Sequence, residues 1–377
     1  MKIGFDAKRA FHNTTGLGNY SRTLIEGLAT CYTQHHYYLF NPRPSKLYQP
    51  NVSNIHEILP SGIIRKGLSS VWRSSWVKQD LLKLGIDLYH GLSHEIPIGI
   101  EKTGVPSVVT IHDLIVERYP DQFKKIDVQI YRKKFKNACM NSNRIIAISH
   151  QTKQDIEDWY KIDSSKIDVC YQSCDPVFTR MQTADEKDAV KNKYGLPSEF
   201  FLYVGSIIER KNLFNICKAM SVLEQPIPLV VIGNGKSYKQ KVKDFISTHI
   251  PDNRVIFLSE KEEGKHVSKN DLATIYQSAI ALIYPSIFEG FGLPVLEALS
   301  GNTPVITSNV SCLPEVGGDA AYYVNPESIE EIAEAMLKVS SDTYLKQSMI
   351  EKGRQHAQNF TLEKCTAALM DVYNKVV

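Results

Sequence analysis

The nine residues Glu289–Glu297, EGFGLPVLE, follow the apolar run IALIYPSIF (280–288), and the junction between them decides the fold. A short apolar run that ends in a glycine-rich turn and passes into a helix is the repeating unit of a parallel α/β protein. Gly290 and Gly292 let the backbone approach a ligand closely, and Pro294 lacks the amide hydrogen that would go unpaired at a helix start, which puts that start near Leu293. Unpaired amides at such a start, with the positive end of the helix dipole, favour an anion such as a phosphate. Glu289 stands in the turn and Glu297 one helical turn inside, where it can accept hydrogen bonds from hydroxyls. The plainer alternative is a dipole-compensating acid and a stray acid in a turn. Two acids around an anion-binding turn suggest a sugar nucleotide, with hydroxyls on both sides of its diphosphate.

Outward from this turn, FFLYVG (200–205), LVVIG (229–233), VIFL (255–258) and PVIT (304–307) supply further strands of the same unit. An earlier series, Lys2 to Phe5, Tyr37 to Phe40, Ile86 to Tyr89, Ser107 to Ile111, Arg144 to Ile148 and Ile167 to Cys170, makes a second doubly wound unit. The polar stretch 175–200 between them predicts a boundary near Asp175 to Gln182 and a helix over 185–193. The expected domains are 1–175, joined by a closing helix at 361–377, and 176–360. The length of 377 residues agrees with two cores rather than one.

Ligands of open parallel sheets bind beyond the carboxyl ends of the strands, so the residues there carry the functional expectations. After FLYVGS come Arg210 and Lys211, a fork-shaped guanidinium beside an ammonium, suited to a diphosphate or else a solvated basic pair. In the first unit a loop from Asp6 to Gly16 is longer than most strand-to-helix connections, with a helix expected near Asn19. Gly16 and Gly18 there can admit a phosphate or sugar. A dinucleotide reading of this G-L-G-x-x-S fails, because its glycines do not directly follow the strand and HYYLFN lacks a terminal acid for a ribose. His112 and Asp113 follow SVVTI; His112 is either structural or a partner of sugar hydroxyls, and Asp113 orients that imidazole, meets an acceptor or caps the next segment.

Composition narrows the class. With 43% hydrophobic residues, 23% charged and a net charge of +3, nothing argues for nucleic acid. The seven scattered cysteines lack zinc-ligand spacing and read as reduced thiols. MKIGFDAK reads as a strand without a signal-peptide core, so the sequons at Asn13, Asn51 and Asn309 read as chance matches and the expected location is cytoplasmic. Leu68, Trp72 and Trp76 at i, i+4 spacing, with Arg73, Lys78 and Lys83 and the basic run at 132–136, form either a core-facing helix or a peripheral contact with the cytoplasmic face of a membrane.

In this order EGFGLPVLEALSGNTPVI (289–306), YVGSIIERKNL (203–213), TIHD (110–113), AISHQTKQDI (147–156) and GLGNY (16–20) resemble the retaining nucleotide-sugar glycosyltransferases of family 4, whose fold is GT-B, along essentially the whole chain. The resemblance implies two Rossmann-like domains facing across a cleft. It implies that Glu289 contacts donor-sugar hydroxyls, that Glu297 binds the ribose, and that amides around Gly290, Phe291, Gly292 and Leu293 hold sugar and diphosphate. Arg210 and Lys211 would stabilise the leaving diphosphate, His112 would face the donor sugar, and Gly16 would help close the site, with Gly18 and Asp113 on the acceptor side. Base recognition is expected near Ser259. No metal or other cofactor is expected.

Three departures from the family pattern stand out. Ser206 replaces a frequent Arg, Gln172–Asp175 replace N-G-V-D, and HGLSHEIP (90–97) suits an acceptor site without assigning a role to His90 or His94. The expected reaction moves a hexose to a glycan or lipid-linked acceptor in cell-surface polysaccharide synthesis. GDP-mannose is the first expectation for the donor, ahead of a UDP-hexose. A sugar-nucleotide epimerase or phosphorylase on the same fold, and a binding scaffold without turnover, are the competing classes.

Overall fold

The computed structural model describes residues 1–223, 227–251 and 254–377. The chain divides into two compact units, one of residues 1–173 with 361–377 and the other of residues 174–360.

The first unit is a seven-stranded sheet of β1 (Lys2–Asp6), β2 (His36–Phe40), β3 (Ile55–Ile58), β4 (Leu88–Gly91), β5 (Ser107–Ile111), β6 (Arg144–Ala147) and β7 (Ile167–Val169). Their order is β3-β2-β1-β4-β5-β6-β7 and every pairing is parallel. Helices on both faces bury the central strands twice over, which is why SVVTI carries no exposed residue. The strand order reverses between β1 and β4. The last helix, Leu362–Asn374, lays Leu369, Met370, Val372 and Tyr373 into the core built on Ile3, Phe5 and Leu28. Gly27 is the seat for its first residue, since a Cβ there would stand 2.6 Å from the Leu362 side chain.

The second unit repeats the plan with β8 (Phe201–Val204), β9 (Leu229–Ile232), β10 (Val255–Phe257), β11 (Ala281–Tyr284), β12 (Val305–Ser308) and β13 (Tyr322–Val324). The order β10-β9-β8-β11-β12-β13, again all parallel, puts the reversal between β8 and β11. Leu258, expected in a strand, belongs instead to a 3-10 turn over Leu258–Glu260.

Other local expectations are corrected. The connection after β1 is not one long loop: it contains a helix over Lys8–His12, and the next helix starts at Gly16, not Asn19. The cause is Asn13, whose Oδ1 accepts the amides of Thr15 (2.9 Å) and Gly18 (3.1 Å) and thereby caps the helix early. The strand expected at Ile86 starts at Leu88. Of the expected helix face, Trp72 is core: it is fully buried against Phe40 and donates its indole N–H to Asp80 Oδ2 at 2.6 Å, while Leu68 is half exposed. Among the described residues no helix is long and apolar enough to cross a membrane.

Candidate active site

At the reversal in the second sheet, β8 and β11 deliver the two predicted segments to one another. Beyond β8 the chain turns through Gly205 and Ser206 into a 3-10 turn, Glu209–Lys211. The carboxyl ends of β8 and β9 pack without an intervening side chain, since a Cβ on Gly233 would lie 1.8 Å from the Gly205 carbonyl oxygen. Beyond β11, Gly292 adopts φ 102°, a left-handed value that glycine tolerates, and serves as the N-cap of the helix Leu293–Ser300. The helix starts where the sequence places it, with the Leu293 amide at its first position lacking an intrahelical acceptor.

Glu289 is the centre of this arrangement. It is 8% exposed and its Oε1 sits 3.0 Å from Arg210 Nη1 and 3.1 Å from Lys211 Nζ. The same oxygen accepts hydrogen bonds from Tyr284 and Ser286, each at 2.8 Å. Burial alone would raise this carboxyl, but the charges of Lys211 and Arg210 and the two hydroxyl bonds outweigh it and hold the group at about 2. Every hydrogen bond to the carboxylate falls on Oε1, which leaves Oε2 without a hydrogen bond among the described residues.

Arg210 also donates to the Phe288 carbonyl, and Lys211 to the Tyr284 phenol while lying over its ring. The basic pair is therefore a buried part of one cluster, two cations on one carboxylate, and not a solvated surface feature. The surplus positive charge stands beside a helix N-terminus.

Four supporting residues escape sequence reasoning. Besides Tyr284 and Ser286, Ser311 holds the Glu289 backbone from both sides: its hydroxyl accepts the Glu289 amide at 3.1 Å and donates to the Glu289 carbonyl at 2.7 Å. Ser311 does this from a left-handed backbone, φ 62°, that a serine adopts only under constraint. Cys312 lies with its thiol 3.1 Å from the Glu289 carbonyl and 3.0 Å from that of Phe291. A left-handed serine just after β12 is the one local signal, and only a structure reveals it.

Glu297, the fifth residue of its helix, accepts a hydrogen bond from Tyr276 at 2.8 Å. Burial raises its carboxyl to about 7, a shift that the Tyr276 bond opposes and the nearby Asp175 reinforces. The two acids eight residues apart are thus shifted in opposite directions. Ser259 donates its hydroxyl to the Gly233 carbonyl at 2.9 Å, so it supports the end of β9. Among the described residues no three His, Cys, Asp or Glu side chains are gathered as a metal site would need.

The remaining candidates lie in the first unit. His112 is buried, with Nε2 2.8 Å from the Leu92 carbonyl and Nδ1 3.2 Å from Gln172 Nε2. A carbonyl can only accept, so Nε2 carries the proton and the ring is neutral. Burial, together with the nearby His94, lowers its pKa to about 3. Asp113 caps the following helix by accepting the Ile115 amide at 3.1 Å. Gly16 stands open, with nothing within 4 Å of a Cβ, whereas a Cβ on Gly18 would fall 1.9 Å from the Asn13 carbonyl oxygen. Gly18 is therefore required by packing.

Two doubly wound parallel sheets, with a paired carboxylate and a glycine-capped helix at the second sheet's reversal, define a GT-B architecture. Residues 14–177 match the family model described as Glycosyltransferase Family 4, and residues 185–356 match Glycosyl transferases group 1. The chain belongs to this family. It is 26% identical to O-antigen chain mannosyltransferase B of Escherichia coli over 392 aligned positions, covering 99% of each chain. It is 31% identical to the O-antigen chain mannosyltransferase RfbU of Salmonella typhimurium over 234, covering 62% of this chain and 59% of that one. Among solved structures, sucrose-phosphate synthase from Thermosynechococcus elongatus superposes with a TM-score of 0.78 at 19% identity, over 100% of this chain and 98% of the other.

Proposed function

We propose that the protein transfers a hexose, with retention of anomeric configuration and without a metal ion, from a nucleoside diphosphate sugar to a glycan or lipid-linked acceptor in polysaccharide synthesis. The observation that carries this reading is the buried cluster of Glu289, Arg210 and Lys211 beside the Leu293 helix start. Its unbonded carboxylate oxygen suits a sugar hydroxyl, and its excess positive charge suits a diphosphate. Glu297 is the ribose partner in this reading.

The chemistry that follows is same-face displacement. The bond from the sugar's anomeric carbon to the β-phosphate oxygen breaks as the acceptor hydroxyl oxygen bonds to that carbon from the same side. The acceptor's proton passes to the departing phosphate oxygen, and Arg210, Lys211 and the helix start stabilise the developing charge.

Likeness to two O-antigen mannosyltransferases supports mannose as the sugar, and GDP-mannose is the donor proposed, ahead of a UDP-hexose. Thermal-shift titration with GDP, UDP, ADP and their sugars tests the donor, with GDP and GDP-mannose expected to give the largest shifts. NMR of the product tests retention through the one-bond C1–H1 coupling, which separates α- from β-mannosides. Incubation with the sugar nucleotide alone should leave its sugar unepimerised; conversion without acceptor would replace transfer by epimerisation.

A further inference from the structure

The reversal in the first sheet, between β1 and β4, has its own concentration of charge. Asp6, at the end of β1, is taken by Arg73, with Nε 2.9 Å from each carboxylate oxygen and Nη2 2.5 Å from Oδ2. Glu95, in the loop after β4, is taken by the same Arg73 at 3.1 Å and by Lys134 at 3.2 Å. Lys8 and Arg9, on the short helix after β1, are left over. Both are partly buried, and among the described residues neither side chain has an ion pair or a hydrogen bond. Burial and the charges of Arg73 and Arg9 push the Lys8 ammonium below its ordinary range.

The loop after β4 carries a strained histidine within electrostatic reach of Arg9. Gly91 has no room for a side chain, because a Cβ would lie 2.0 Å from the Glu95 carbonyl oxygen, and the loop folds tightly back on itself. His94 takes φ 63°, its amide donates to the Thr110 carbonyl at 2.9 Å, and its ring stacks on Phe135 at 4.3 Å. The residue is 6% exposed and its Nδ1 is buried without a hydrogen-bond partner among the described residues. Burial first, then the charge of Arg9, holds this imidazole neutral, with a pKa of about 3. Left-handed backbone at a non-glycine, an unbonded buried ring nitrogen and two partly buried cations outside any ion pair among the described residues all cost stability in the free chain, and such costs concentrate where a ligand answers them.

We propose that Arg9, Lys8 and His94 form an anion subsite in the first unit that receives a phosphoryl group of the acceptor substrate. The two cations match the charge of a phosphoryl group, close to −2 near neutral pH. Arg9 offers a planar fork and Lys8 a point charge, and the His94 ring near Arg9 stays neutral. Assigning the phosphoryl group to the acceptor rests on the glycosyltransferase reading; the anion subsite does not.

Calorimetric titration of the full chain with inorganic pyrophosphate, mannose 1-phosphate and geranyl diphosphate tests it. Arg9→Gln and Lys8→Gln should each weaken, at least tenfold, one pyrophosphate-binding event that Arg210→Gln leaves in place, and Arg9→Lys should restore part of it. Neither glutamine variant should lower the unfolding temperature, because each removes a partly buried charge that no ion pair holds. Tighter binding of geranyl diphosphate assigns the site to a lipid-linked diphosphate, and tighter binding of mannose 1-phosphate to a soluble sugar phosphate. Absence of a pyrophosphate event sensitive to Arg9 overturns the proposal. Release of nucleoside diphosphate from the donor is measured separately, so failure of the transferase reading leaves the pyrophosphate result standing.

Discussion

The phenol of Tyr284 donates to Glu289 Oε1 at 2.8 Å and accepts from the Lys211 ammonium, so one buried hydroxyl fixes the relation of carboxylate to cation. Tyr284→Phe removes both bonds at constant shape. It should cost about 2 kcal/mol of stability, as for a hydrogen bond to a charged group. Turnover should fall roughly tenfold with donor KM nearly unchanged, and by little more in a Glu289→Ala background, where the carboxylate it orients is gone. Steady-state kinetics of the two single variants and the double variant check this.

The two acids should separate in their kinetic effects. Glu297→Ala is expected to weaken nucleotide binding by about tenfold, and Glu289→Ala to reduce mainly turnover, by about a hundredfold or more. Nucleotide affinity by calorimetry alongside initial rates distinguishes the two roles; wild-type values in both variants would remove both.

Glu297 has its carboxyl raised to about 7 by burial. A raised carboxyl adds stability that is complete below its unfolded value near 4.5 and is lost as pH climbs through 7. Glu297→Gln, which stays neutral, should unfold at about the wild-type temperature at pH 5. At pH 8 it should exceed the wild type by roughly 1–2 kcal/mol, allowing for the residue's partial exposure. Glu289 runs the other way: with its carboxyl held at about 2, its contribution is present above 4.5 and fades as pH falls toward 2. Thermal denaturation across pH 3–8 reads both trends.

Gly16 and Gly18 should respond differently to the same substitution. Gly16→Ala enters open space and should leave stability within about 0.5 kcal/mol of wild type, so any loss of activity reports on the ligand. Gly18→Ala collides with the Asn13 carbonyl and should cost about 2 kcal/mol or more. Circular-dichroism melting curves separate them.

How much of this was legible in the sequence follows from which contacts are local. The helix start at Leu293 was readable because Gly292 and Pro294 act on their own backbone. The meeting of Arg210 and Lys211 with Glu289 was anticipated from strand ends, but not as an ion cluster, which depends on β8 and β11 being neighbours. Ser311 and Cys312 were invisible because they reach Glu289 only through the adjacency of β11 and β12. The strands Ile55–Ile58 and Tyr322–Val324 escaped notice because edge strands need no continuous apolar run, and IHEI is largely accessible. The helix Lys8–His12 is too short to show a period, so its sequence reads as loop. That same helix carries Lys8 and Arg9.

The close approach of Gly233 to Gly205 bears on how such a protein can diversify. With a carbonyl occupying the space of a side chain, a mutation at position 233 is answered by collision, whatever residue arrives, and the two strand ends are inherited as a locked pair. Novelty in what is bound must come from exposed positions beyond them, such as Ser206 and Ile208, which flank the buried Ile207. A lineage can exchange those freely, as different furniture on the same floor.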